Sequence, residues 1–405
     1  MDIKNIKSQF PIFKQKINGK SLVYLDSANS SQKPKSVIDR ISSFYENEYS
    51  NVGRSVHSLA VKATNSFESS RDKVKNYVNA KHREEIIFTK GATESINLVA
   101  SSFAEKYISA GDEILVTELE HHSNYVPWHF ARKRKGAIIK FAEVNKSGEI
   151  EIDEIKKKIN SKTKIIAITH LSNVTGAIIP IKKIVDLAKS NNIPVLVDGT
   201  QGAPHLKIDM QDLGCDFYAI SCHKMYGPNG LGILYAKKKW LEDLPPYQGG
   251  GGMIDEVKKD NITFAEAPTK FEAGTMQTAE VVSFSESINF IESIGIENIL
   301  SHENKILEYG LEKLKKNNSI NIIGNPKNRG SILCFTIKGI HPHDIATILD
   351  DNGVAIRAGH HCCQILHDKL GVPATARASI GIYNTREDID ILCEAIDNCK
   401  KIFQI

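Results

Sequence analysis

Between Glu85 and Ala236 the chain repeats one pattern, a short and nearly all-apolar run followed by a polar stretch. The runs are Glu85–Thr89, Glu113–Thr117, Ala137–Phe141, Lys164–Thr169, Pro194–Val197, Phe217–Ile220 and Gly232–Ala236. Helical spacing fills most of the gaps, as in Ala92–Lys106 and Ile181–Ser190. Strands alternating with helices in this way predict an α/β fold built on a mainly parallel, seven-stranded sheet with helices on both faces. Right-handed crossovers bring the strand ends to one rim, which is where ligands of such sheets bind.

The pattern stops near Gly249–Gly252, a run of glycines too flexible for an element interior. A loop-like stretch reaches Ala273-Gly-Thr275, followed by helical spacing over Thr278–Ile294 and Ile299–Lys316. Strands are expected at Ile320–Ile323, Ser331–Thr336, Val354–Arg357 and Thr375–Ile380. Thr385 and Asp388 have capping-box spacing at the start of a last helix. At 405 residues two domains are expected: a large α/β domain over 22–285 and a smaller α+β domain over 286–405, with segment 1–21 packed on the latter.

Composition narrows the partners. With 52 basic and 48 acidic residues the net charge is +4, which gives no reason to propose nucleic acid or a membrane surface. The N-terminus has no apolar signal region, and no apolar run approaches the ~20 residues of a membrane span. Seven scattered cysteines without a C-x-x-C pair suit a reducing, cytoplasmic compartment.

Candidate functional groups cluster just after the expected strands. Ser221, His223 and Lys224 follow Phe217–Ile220, and a lysine on such a ledge either serves as a nucleophile toward a carbonyl or is a plain surface residue. Gly91-Ala-Thr93 opens a helix, as a phosphate seat or as a cap. His121, in Glu120-His-His-Ser-Asn124, stacks on a flat ring, moves protons or simply lines a loop. Asn173 offers a donor and an acceptor, or forms a turn with Gly176. Asp198 ends an apolar strand and is costly there unless paired; a cationic ring nitrogen and a helix N-terminus are both fitting partners. In the small domain, Arg357-Ala-Gly-His-His-Cys362-Cys363 reads as a reactive thiol motif or as a metal site. Four consecutive residues wrap a tetrahedral ion poorly, so no metal is expected. Arg377 has the planar fork for a substrate carboxylate, or for a buried acid. Together these groups make the set pyridoxal phosphate needs: a Schiff-base lysine, a carboxylate for the ring nitrogen and a phosphate seat.

Nearly end to end, from Tyr24-Leu-Asp26 to Tyr383-Asn-Thr385, the sequence resembles the Suf-type cysteine desulfurases of the class V aminotransferases, which are fold-type I pyridoxal phosphate enzymes. The most specific matches are Ser221-Cys-His-Lys224 with Tyr226-Gly-Pro228, Asp198-Gly-Thr-Gln201, Glu120-His-His-Ser-Asn124 and Arg357-Ala-Gly-His-His-Cys362. The resemblance implies that Lys224 bonds the cofactor, Asp198 pairs with its ring nitrogen and Gln201 with its ring hydroxyl. It implies that His121 stacks on the ring and helps move protons. Thr93, Ser221 and His223 would hold the phosphate, with Thr275 reaching the other subunit's phosphate across a homodimer. Asn173, Arg357 and Arg377 would bind substrate, and Cys362 would accept the sulfur. The implied reaction converts L-cysteine to L-alanine and passes sulfur to an acceptor protein of the Suf system for Fe–S assembly; L-selenocysteine lyase and cysteine sulfinate desulfinase activities are the sibling readings.

Departures from the family pattern are local. Cys363 stands where alanine is usual, and Asn29 where a small alanine is common. Gly53 and Ser55 replace a histidine and a glycine in Asn51-Val-Gly-Arg-Ser-Val-His57.

Overall fold

Each of the seven apolar runs forms a strand, within one residue of its expected ends: β1 (Ile86–Thr89), β2 (Glu113–Thr117), β3 (Ile138–Ala142), β4 (Thr163–Thr169), β5 (Val195–Asp198), β6 (Phe217–Ser221) and β7 (Gly232–Ala236). They come from a computed structural model that describes residues 1–53 and 55–404. The hydrogen-bonded order is β1-β7-β6-β5-β4-β2-β3. β7 runs antiparallel to β1 and β6, and every other neighbouring pair is parallel. The runs are apolar without alternation because both faces are covered. Ile166 and Ile168 of β4 join one core cluster, while Ile165 and Ala167 join the cluster on the other face. Only β3, at the edge, has an exposed apolar residue, Ile138.

A second sheet, antiparallel throughout, is formed by β8 (Ile320–Ile322), β9 (Ile332–Ile337), β10 (Arg357–Gly359) and β11 (Thr375–Ser379), in the order β8-β9-β11-β10. The single strand expected over Val354–Arg357 is two. Val354–Ala355 pairs in parallel with Val23–Tyr24, and β10 then pairs with β11. The chain changes partner at Ile356, which an apolar pattern does not reveal. The stretch expected as loop before Thr275 contains an exposed hairpin, Ile254–Val257 with Ile262–Phe264. Its strands bury almost nothing, so no alternation marks them. The capping box is formed: Asp388 N–H donates to Thr385 Oγ1 at 3.4 Å, and Thr385 N–H to Asp388 Oδ2 at 3.1 Å.

Near the N-terminus, Phe10 is buried with ring centroids 5.0 Å from Tyr383, 5.4 Å from Phe290 and 6.0 Å from Tyr226. Lys7 pairs with Asp388 at 3.2 Å. Among the described residues, no helix is long and apolar enough to cross a membrane.

Candidate active site

Strand register assembles the rim. Thr89 pairs with Gly232, Gly232 with Ser221, and Asp198 with both Ala219 and Thr169. A Cβ on Gly232 would lie 2.4 Å from the backbone of Gly91, so only glycine lets β7 pass this close to the loop that opens helix Ala92–Tyr107. Ser221 Oγ accepts the Ala92 N–H at 2.9 Å, which leaves its own O–H to donate. Thr93 is exposed in the first turn of that helix.

Beyond β6 the chain tightens into a 3-10 turn, Cys222–Lys224. The turn is clamped from the segment before helix Lys35–Asn47. The His223 carbonyl accepts from Ser30 Oγ (3.2 Å), Ser31 Oγ (3.1 Å) and Lys33 Nζ (2.7 Å). Ser30 Oγ also meets His223 Nδ1 at 3.1 Å. Among the described residues nothing hydrogen-bonds or ion-pairs with the amine of Lys224. Burial lowers its pKa to about 8, the Arg377 and Arg357 guanidiniums push the same way, and Asp198 and Cys362 pull back. A pKa this low gives the amine a far larger neutral, nucleophilic fraction at physiological pH than an ordinary lysine has.

Asp198, 3% exposed, ends β5 with Oδ1 accepting the Thr200 N–H at 3.0 Å. Burial pushes its carboxyl up, and the Thr200 bonds and Lys224 oppose that. Gln201 Nε2 donates to the Ala28 carbonyl at 2.6 Å, while its buried Oε1 has no partner. His121 Nδ1 accepts the Ser123 N–H at 3.1 Å, and a backbone N–H only donates. Its neutral ring therefore carries the proton on Nε2. Burial and then the positive charge of Lys224 lower its pKa to about 3. Sequence reasoning placed Glu120 in this motif but gave it no role. It is the local staple: Oε1 accepts from Thr117 Oγ1 (2.6 Å) and the Thr169 N–H (3.1 Å), and Oε2 from Asn124 Nδ2 (2.6 Å). It thus ties the ends of β2 and β4 to the turn after His121.

The Cys362 loop follows β10 of the second sheet. His361 and Cys362 have φ of 52° and 59°, a left-handed conformation costly for residues with a side chain. Hydrogen bonds hold it: the His122 N–H donates to the Cys362 carbonyl (2.8 Å), and Asn173 Nδ2 to the His361 carbonyl (2.7 Å). His361 Nε2 meets Thr375 Oγ1 at 2.8 Å. Cys362 is partly exposed, whereas Cys363 is buried with its Sγ on Asn173 Oδ1. Among the described residues, no group of His, Cys, Asp or Glu side chains is arranged to hold a metal ion.

Arg377, 2% exposed, donates from Nη1 to the Asn173 carbonyl at 3.0 Å. Asn29 joins the two arginines: Oδ1 accepts from Arg357, Nδ2 donates to Asp26 Oδ2 at 3.1 Å, and Asp26 Oδ1 accepts from Arg377. Asp26, Asn29 and Lys33 were not expected as site residues. The one signal was Asp26, an acid closing the Val23-Tyr-Leu run.

Electrostatic coupling therefore brings together Lys224, Asp198, His121, Arg357, Arg377 and Cys362. Thr275 is not among them. It is exposed in a separate cavity of about 700 Å³, lined also by Gly251, Gly252 and Arg71. Gly53, with φ of 114°, lines the same cavity, and Arg54 of that motif lies outside the described residues. The donor set fits pyridoxal phosphate: a free amine for its aldehyde, a buried carboxylate for its ring nitrogen and an orphan amide oxygen for its hydroxyl. For the phosphate there is a helix N-terminus beside a serine hydroxyl.

Residues 23–392 match the family profile for Aminotransferase class-V. A probable cysteine desulfurase of Halalkalibacterium halodurans is 46% identical over 403 residues, spanning 100% of this chain and 99% of its own. One from Staphylococcus epidermidis is 48% identical, spanning 99% and 98%. Among solved structures, the cysteine desulfurase CsdA of Escherichia coli superposes with a TM-score of 0.92 at 36% identity, over 99% of both chains. That of Thermococcus onnurineus NA1 gives 0.93 at 33% identity, over 98% of both.

Proposed function

The chain belongs to the class V aminotransferase family, and from that premise we propose the following division of labour in a pyridoxal phosphate-dependent cysteine desulfurase. The observation that carries it is the convergence of Lys224, Asp198 and Cys362 from distant parts of the sequence: β5 ends at Asp198 beside β6, whose following turn carries Lys224, and the Cys362 carbonyl accepts the N–H of His122, next to His121. When bound, pyridoxal phosphate supplies an aldehyde for a covalent link and a ring that takes up electrons from the substrate Cα.

Lys224 would hold the cofactor through its amine and, as a free amine beside bound L-cysteine, would take the Cα proton. Asp198 would keep a proton on the ring nitrogen, Gln201 Oε1 would accept from the ring hydroxyl, and Ser221, His223 and Thr93 would hold the phosphate. His121 would lie against the ring, its Nε2–H able to move a proton. Arg377 and Asn173 bind the substrate carboxylate, and Arg357 contributes to substrate binding beside them. Cys362 Sγ then attacks the substrate sulfur. The Cβ–S bond breaks, an S–S bond forms on Cys362, Cβ takes up a proton, and return of a proton to Cα from Lys224 yields L-alanine.

The chain divides into a large unit over 22–285 and a small one over 286–405, with 1–21 packed on the latter. The Lys7–Asp388 pair supports that reading, and the Val23–Tyr24 pairing attaches the start of the large unit to the small one as well. The enzyme works as a cytoplasmic homodimer in which Thr275 completes the partner's phosphate seat; its exposure, and the free state of all seven cysteines, support this. Sulfur leaves Cys362 for an acceptor protein serving Fe–S assembly.

The test is an absorbance spectrum with an alanine assay. The purified protein is expected to be yellow and to form alanine from L-cysteine, and Lys224→Ala to lose both. A colourless wild-type protein that does not take up pyridoxal phosphate would overturn the reading.

A further inference from the structure

Cys363 occupies a position where the family pattern has alanine, and its thiol is engaged. It is 1% exposed, and its Sγ lies 3.0 Å from Asn173 Oδ1. The other end of the same amide donates to the His361 carbonyl at 2.7 Å. A carbonyl only accepts, so the NH₂ must face His361 and Oδ1 must face Cys363. Burial pushes the Cys363 thiol well up, which keeps it protonated and able to donate. The two residues flanking Cys362 thus grip the two ends of one side chain. That side chain belongs to the residue whose own carbonyl receives Arg377 Nη1.

We propose that Cys363 is a positioning residue for substrate: its S–H···O contact fixes the Asn173 amide so that a second Nδ2–H, together with the unpartnered Arg377 Nε, faces the substrate carboxylate. This rests on the assignment of Asn173 and Arg377 to that carboxylate. With alanine at 363, Oδ1 loses its donor and the amide is held only by the His361 carbonyl, so its second Nδ2–H is aimed less firmly at the carboxylate. Serine keeps a donor at the same place.

The experiment compares wild type, Cys363→Ala, Cys363→Ser and Asn173→Ala as holoenzymes. It reads KM and kcat for L-cysteine and, independently of turnover, the Kd of L-alanine from the change in cofactor absorbance. Melting temperatures and cofactor content establish that each variant is folded and loaded. Cys363→Ala is expected to raise KM and the L-alanine Kd about threefold to tenfold, with a smaller change in kcat, as for loss of one weak hydrogen bond. Cys363→Ser is expected to restore both constants toward wild type. Unchanged constants in Cys363→Ala overturn the inference, and so does a serine variant as impaired as alanine, because packing rather than donation would then be at work. If Asn173→Ala raises both constants and Cys363→Ala does not, only this inference falls. If Asn173→Ala changes neither, the assignment of the substrate seat falls with it.

Discussion

Nη2 of Arg377 lies 3.4 Å from Oδ1 of Asp26, yet Nε of the same buried guanidinium has no partner among the described residues. Burial works against both charges, raising the Asp26 pKa and lowering that of Arg377. An incompletely satisfied buried cation is a ready seat for a carboxylate. Arg377→Lys keeps the charge but loses the planar fork, and is expected to raise KM for L-cysteine by about tenfold or more. Steady-state kinetics check this, and an unchanged KM would remove Arg377 from the substrate seat.

Lys224 sets a pH dependence. With its pKa lowered to about 8, the amine of the cofactor-free protein is protonated below that pH and neutral above it. Only the neutral amine attacks an aldehyde. The rate of covalent uptake of pyridoxal phosphate should therefore climb with pH through about 8 and then level off. Stopped-flow absorbance on the cofactor-free protein measures it. A profile still rising steeply to the ordinary lysine value of 10.5 would show an unshifted amine.

Two buried histidines predict acid sensitivity. His170, bonded to the Tyr218 hydroxyl at 2.8 Å, has its pKa lowered to about 4 by burial, and that of His361 falls to about 2. Below the ordinary value of 6.5 the unfolded chain binds protons at these rings that the folded chain refuses. Stability must then fall as pH drops from 6.5 toward those values, and be fully recovered above 6.5. Calorimetry across that window should show Tm falling with pH, less steeply in His170→Asn.

A structural pair supports β1 from behind. Arg71 grips Glu272 through Nη1–Oε1 at 2.7 Å and Nη2–Oε2 at 2.8 Å, and Glu272 Oε1 also accepts the Phe88 N–H. Glu272→Ala leaves Arg71 with Glu68 and the Ile86 carbonyl but removes its most buried partner and the acceptor of the Phe88 N–H, and is expected to destabilise the fold by about 1–3 kcal/mol. Denaturant unfolding measures this; a change inside ~0.5 kcal/mol would show that Glu68 alone suffices for Arg71.

The large sheet was legible because burial on both faces leaves continuous apolar runs, and Lys224 and Asp198 were legible because they interrupt such runs at their ends. The exposed hairpin Ile254–Phe264 buries too little to write a pattern. Nor could the partner change at Ile356 be read, since it depends on where Val23–Tyr24 and β11 lie in the completed fold. The Asn29–Arg357 bond joins residues 328 positions apart, and the Lys33–His223 bond residues 190 apart. Such contacts are products of the completed fold, so neither residue's local sequence announces them. Glu120 was visible as a letter in a motif, but its role depends on β4 lying beside β2.

The central claim is that sulfur moves onto Cys362. Its most direct test is mass mapping of cysteine-containing peptides from the holoenzyme after a single turnover of L-cysteine, alongside Cys362→Ala. One added sulfur atom on Cys362, equal in amount to the alanine formed, with the variant keeping its bound cofactor but forming no persulfide, is the predicted result. Sulfur on Cys363 instead, or alanine and free sulfide released by Cys362→Ala at the wild-type rate, would contradict it.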